Sequence, residues 1–125
     1  MSLSKNRKMK KTRLVLNWVL RILLSLGFLL ASVGKLTSNP AIVEMFEHWG
    51  YPDGFHLVIG IIELLLAILI VIPKTLKIAI VGMAVVLFGA LGTHLLNDPI
   101  LEIIRPLIFL ILLGGVSIIN YRYKD

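Results

Sequence analysis

The stretch Gly60-Ile61-Ile62-Glu63-Leu64-Leu65-Leu66-Ala67-Ile68-Leu69-Ile70-Val71-Ile72-Pro73-Lys74-Thr75 decides the class of this chain. It is an apolar run long enough to cross a bilayer, and it ends on proline and lysine. One carboxylate, Glu63, lies inside it. A charge at that depth costs about 2.5–3.5 kcal/mol on insertion scales. Another part of the chain must therefore offset Glu63, or the carboxyl must be protonated.

The whole chain shares this character. Hydrophobic residues make up 58% of its 125 positions and charged residues only 16%. A soluble domain carries nearer about 25% charge. A spanning helix needs about 20 apolar residues, so the length predicts four spans joined by short loops, with no room for a soluble catalytic domain. There are no cysteines, which excludes disulfides, thiolate nucleophiles, iron–sulfur clusters and thiolate zinc sites. The net charge of +6 is not read as nucleic-acid binding, because the cations cluster at the ends of apolar spans and set topology instead.

Residues 1–13 hold six cations and no acid. They read as a basic cytoplasmic arm, with about 1 kcal/mol of lipid attraction per cation near an anionic leaflet. Residues 14–125 read as one transmembrane domain. Its first span runs from about Leu14 to Gly34. That run is too long for a signal peptide, carries Arg21 and lacks an Ala-x-Ala cleavage site. Asn17, Arg21, Ser25, Phe28, Ser32 and Lys35 recur at spacings of three and four, so they share a face that should turn into the bundle. Gly27 and Ala31 offer close packing beside it.

After this span, Ser38-Asn39-Pro40 opens a short helix, with a capping side chain followed by proline. Its apolar stripe is Ile42, Met45, Phe46 and Trp49, opposite Glu44, Glu47 and His48, and Gly50 ends it. An amphipathic helix in the outer interface is expected, with Trp49 and Tyr51 as belt aromatics. The second span is expected from about His56 to Ile72 and the third from about Ile78 to Leu96. The third has a small-residue seam of Ala79, Gly82, Val86, Gly89 and Thr93, which serves the bundle or a homo-oligomer equally. The fourth runs from about Ile103 to Ile119, and Tyr121-Arg122-Tyr123-Lys124 forms a terminal anchor.

The arm, the 73–77 turn and the tail carry ten cations, whereas the opposite loops carry most of the acids. The positive-inside rule then places both termini in the cytoplasm. The expected fold is all-α, a polytopic membrane protein built as a four-transmembrane-helix bundle, with the short amphipathic helix between helices 1 and 2. A bacterial-type plasma or inner membrane is the expected location.

Depth counting at ~1.5 Å per residue puts Arg21 about 12 Å and Glu63 about 15 Å from the cytoplasmic side, which predicts that these two pair. His94, Arg105 and Lys35 form an outer tier, with Asp98 and Glu102 nearby. Arg21, Lys35, Glu63, His94 and Arg105 are thus expected to line a cleft that narrows toward Glu63. Such a ladder suits a proton path, or a site for the head group of a quinone or another lipid-like molecule. The bland alternative is that these groups only join helices, with Arg21 snorkelling to the headgroups. A haem between His94 and His56 is a weaker alternative. No phosphate loop, metal-ligand spacing or nucleophile–base signature occurs.

The chain resembles the DoxX-like family over nearly its whole length. The resemblance rests on Arg21, Ser32-Val33-Gly34-Lys35, Phe46, Gly50-Tyr51-Pro52, Gly60 with Glu63-Leu64, Leu69 through Pro73-Lys74-Thr75, and Thr93-His94, in that order and spacing. Leu65-Leu66-Ala67 departs from the small residues expected after Glu-Leu, which weakens the case for an open pocket below Glu63. The resemblance implies a four-span bundle. It also implies roles ranging from association with thiosulfate:quinone oxidoreduction and oxidative-stress complexes to chaperone-like assembly of membrane receptors. The resulting expectation is an accessory membrane protein that is not an enzyme on its own. It needs no cofactor and binds a quinone-like or lipid-like molecule, or a membrane protein partner. The alternatives are a subunit of an oxidoreductase passing electrons to quinone, and a small proton-coupled carrier.

Overall fold

The computed structural model describes residues 2–122, and the structure is helical throughout, with no strand among the described residues. Tyr123 and Lys124 of the expected terminal anchor lie outside the described residues. The elements in order are α1 (Ser2–Leu36), α2 (Pro40–His48), α3 (Phe55–Leu69), α4 (Leu76–Asn97) and α5 (Ile104–Ser117). Single 3₁₀ turns at Pro73–Thr75 and Ile100–Ile103 lead into α4 and α5, and a π-helical turn, Ile118–Arg122, closes the last helix. Helix α1 packs chiefly on α3 and also on α5; α3 packs on α4, and α4 on α5. The four long elements therefore close into a ring, with α2 laid across the ends of α1 and α3.

Three helical segments, Leu3–Leu36, Pro73–Asn97 and Ile100–Arg122, are long and apolar enough to cross a membrane. The outward faces are lipid-like: Leu30, Val85, Phe88 and Ile111 are all more than 60% exposed. The interior is a column of Leu24, Phe28, Leu66, Ile70, Met83, Leu113 and Val116.

Helix α3 is shorter than the sequence led us to expect. It stops at Leu69 rather than Ile72 and spans only ~22 Å at 1.5 Å per residue. Proline is the cause. Pro73 forces the residue before it out of the helical region, and Ile72 is indeed extended, with φ −96° and ψ 119°. In contrast, α1 has no break where the basic arm meets the apolar run. It continues as one helix of 35 residues from Ser2.

The short helix forms as its signals predicted. The Asn39 side chain accepts a hydrogen bond from the Ala41 N–H at 3.0 Å, and Pro40 is the first helical residue. Gly50 follows with φ +84°, a left-handed conformation that glycine adopts at little cost. Of the predicted stripe, Phe46 is buried and Met45 is exposed.

The face of α1 carrying Asn17, Arg21, Phe28 and Ser32 is buried, with Ser25 and Lys35 half-buried. Gly27 sits against the Phe109 ring of α5. The seam on α4 is packed at most positions: Ala79 is fully buried, Gly82 lies against Leu66, Val86 packs on the core and Thr93 meets Tyr51, whereas a Cβ added at Gly89 would meet nothing within 4 Å.

Candidate functional site

Glu63 finds its partner in Lys35, not in Arg21. The Lys35 ammonium lies 2.8 Å from Glu63 Oε1, and the two side chains keep 16% and 9% of their surface exposed. Lys35 is the charge partner of Oε1. The two helices meet closely here. A Cβ built on Gly60 would lie 2.9 Å from Lys35 Cβ and 3.2 Å from Leu36 side-chain atoms.

The reason lies in helix geometry. Every Cα–Cβ bond tilts toward the N-terminus of its own helix. Helices α1 and α3 run antiparallel, so Arg21 leans toward the arm while Glu63 leans toward the opposite end, and the two diverge. Lys35 leans back along α1, directly toward Glu63. Counting residues along the axis sets Arg21 and Glu63 level, whereas the bonds from Arg21 to Ile70 and from Ser25 to Ala67 place Glu63 about two turns beyond Arg21, nearer Lys35.

Arg21 has a different task. Its Nε–H donates to the Ile70 carbonyl at 2.7 Å, and its guanidinium lies 4.1 Å above the Trp18 ring. One turn along, the Ser25 hydroxyl donates to the Ala67 carbonyl at 2.7 Å. The Thr75 hydroxyl donates to Leu69 O at 2.8 Å. The last carbonyls of any helix lack intrahelical donors, and within an apolar medium each one left bare costs several kcal/mol. Helix α3 ends early, so Arg21, Ser25 and Thr75 supply the missing donors. A cation at a helix C-terminus also suits the macrodipole. The Nη2 atom of Arg21 is buried with no acceptor. Beyond it, Asn120 Nδ2 donates to Asn17 Oδ1 at 2.8 Å, tying the last turn of the chain to α1.

His94 belongs to a third group. Asp98 Oδ2 accepts from the Trp49 indole N–H and from His94 Nδ1, each at 2.8 Å, while His48 Nε2 lies 4.0 Å from Oδ1. Thr93 donates to the Gly89 carbonyl at 2.9 Å, which leaves the Tyr51 hydroxyl as donor in its 2.6 Å contact with Thr93 Oγ1. Partial burial acts to raise the Asp98 carboxyl, but the hydrogen bonds from His94 and Trp49, with the His94 and His48 charges, overcome it and hold the group below its ordinary value. Around these bonds lies an aromatic cluster: Phe46 is 5.1 Å from Trp49 and 5.7 Å from Tyr51, and Tyr51 stacks on Phe55 at 4.8 Å.

The five residues expected to share one cleft are thus distributed over separate places. Lys35 and Glu63 are together, Arg21 is with the end of α3, and His94 is with Asp98. Arg105 is exposed on the first turn of α5, in no ion pair among the described residues. Asn17, Ser32 and His56 are buried polar groups outside the expected five. His56, on the same face of α3 as Gly60 and Glu63, lies 3.0 Å from the Ser38 hydroxyl. The spacing of four and three between these residues was the available signal.

These features define a small all-helical integral membrane protein whose polar groups are turned inward between helices. The chain belongs to the DoxX-like family, whose family model matches residues 19–116. Neither the curated proteins nor the solved structures contain a match.

Proposed function

We propose that this protein is an accessory component of a plasma or inner membrane that binds the polar head of a lipid-like or quinone-like molecule, or of a membrane partner, at Lys35 and Glu63. The observation that carries this reading is the buried ion pair, Lys35 with Glu63 at 2.8 Å where α1 and α3 meet. A pair of this kind gives little stability relative to apolar packing, so a ligand-handling role is a reason for the protein to hold it. Arg21 and His94 are assigned to the scaffold, the first ending α3 and the second holding the α4 terminus.

In this reading α3 also spans the membrane, as the second of four spans. Continuing through Ile72 it offers 18 residues, or ~27 Å if the extension is counted as helix, close to the ~30 Å hydrocarbon thickness, and the donors from α1 satisfy its early end. Both termini lie in the cytoplasm, from the ten cations on that side.

Native mass spectrometry of the detergent-purified protein, wild type beside Glu63→Gln, tests the reading. A retained amphiphile present in the wild type and lost in the variant is the expected result. A clean protein mass in both, with unchanged thermal stability, overturns the ligand role.

A further inference from the structure

Helix α2 lies across the outer ends of α1 and α3, one step from the ion pair. Ile42 packs on Gly34, the residue before Lys35. Phe46 is 6.1 Å from the His56 ring, one turn before Gly60 on the face of α3 that carries Glu63. The chain on either side of α2 turns through left-handed conformations: Ser38 has φ +52°, Gly50 +84° and Gly54 +81°. Such positions concentrate where a segment changes direction, and a non-glycine residue there stores strain. Between the α2 segment and the end of α4 the structure has two hydrogen bonds, Trp49 with Asp98 and Tyr51 with Thr93, and His48 lies 4.0 Å from Asp98.

We infer that α2 is a lid over the Lys35–Glu63 pair and that Asp98 is the latch that positions it. The inference rests on the proposed ligand role of that pair, and it adds the route by which a ligand arrives. The lid turns at Ser38 and at Gly50 and Gly54, and a ligand enters between α2 and α4 from the side where α4 ends. One carboxylate oxygen holds both the α2 side, through the Trp49 indole, and the α4 side, through His94. Removing it breaks the tie shared by Trp49 and His94, leaves Tyr51 with Thr93 as the remaining hydrogen bond to α4, and touches neither α1 nor α3.

The chain has no cysteine, so an introduced thiol is unique. Ser32 is fully buried one turn from Lys35 on the same face of α1, and Ala79 is fully buried against the other half of the bundle. Maleimide labelling of Ser32→Cys and, separately, Ala79→Cys is measured in ligand-free detergent micelles, with Asp98 intact and with Asp98→Ala. The expected result is at least tenfold faster labelling at position 32 and an unchanged rate at position 79. Equal rates at position 32 overturn the lid, and so does the same acceleration at both positions, which signals general loosening. Trp49→Phe removes the same tie from the other side, and its thiols must follow the same pattern if Asp98→Ala fails to fold. The labelling needs no ligand, so it can fail while the mass-spectrometric result holds, and the reverse.

Discussion

Deleting the Lys35 charge should destabilise the protein more than deleting the whole ion pair. In Lys35→Met, Glu63 remains at 9% side-chain exposure with no counter-charge. Breaking a buried pair in this way costs about 3–5 kcal/mol. Two unit charges at ~4 Å attract by about 4 kcal/mol at an effective dielectric of 20, before desolvation is subtracted, which is the same order. Lys35→Met combined with Glu63→Leu removes both charges and fills the seam with apolar atoms, so it should lie within about 1–2 kcal/mol of wild type, because a buried pair replaced by apolar packing is often neutral. The double-mutant cycle should therefore give a coupling of at least about 1–4 kcal/mol, the Lys35→Met loss less that of the double variant, to which any loss from Glu63→Leu alone adds. Equilibrium unfolding in mixed detergent micelles, followed by circular dichroism, measures it. The parallel cycle of Arg21→Met with Glu63→Leu should give less than about 0.5 kcal/mol, as for groups that share no partner. Coupling in the Arg21 cycle and additivity in the Lys35 cycle would refute the helix-direction argument and restore the pairing read from depth.

Three further outcomes follow from the same contacts. Arg21→Met removes a charge-assisted bond to Ile70 O, so stability should fall by about 1.5–3 kcal/mol, and hydrogen exchange should accelerate between Leu69 and Leu76 but not in α5. Gly60→Val places a branched side chain where a Cβ already comes 2.9 Å from Lys35; overpacking costs about 1–3 kcal/mol, and the Lys35–Glu63 coupling should shrink with it. The Asp98 carboxyl lies below its ordinary value in the folded protein, with His94 and His48 facing it. Its contribution to stability is complete above the unfolded value of about 3.9 and is lost as the pH falls through the lower folded value. Trp49 fluorescence in the Trp18→Phe background should therefore hold steady down to about pH 4 and change below it, and Asp98→Asn should abolish that step.

Much of this protein can be read in one dimension because its solvent is apolar. A span must satisfy its own backbone, so apolar runs bounded by cations identify helices whatever they pack against. Asn39-Pro40 and Gly50 set the ends of α2 by local bonds and local dihedral angles. The polar face of α1 was visible as a spacing of three and four, because burial of a face depends on period alone. The early end of α3 is also written locally, in the proline at position 73.

Only the tertiary structure decided which charges meet. Whether Arg21 or Lys35 reaches Glu63 depends on the register of α3 along α1, which sets Arg21 beside Ile70 and Lys35 beside Gly60, and on side-chain direction, which reverses between two antiparallel helices. The tasks of Arg21, Ser25 and Thr75 depend on where the α3 carbonyls fall beside α1, across gaps of 49, 42 and 6 residues. The Asp98 latch joins Trp49 and His94 across a loop and a helix end. By itself the sequence determined the membrane class, the helices and the buried face, since each follows from period and composition. The partners of the buried charges followed from packing, because an ion pair requires two side chains to converge within about 4 Å, and residue spacing within one helix carries no information about the other.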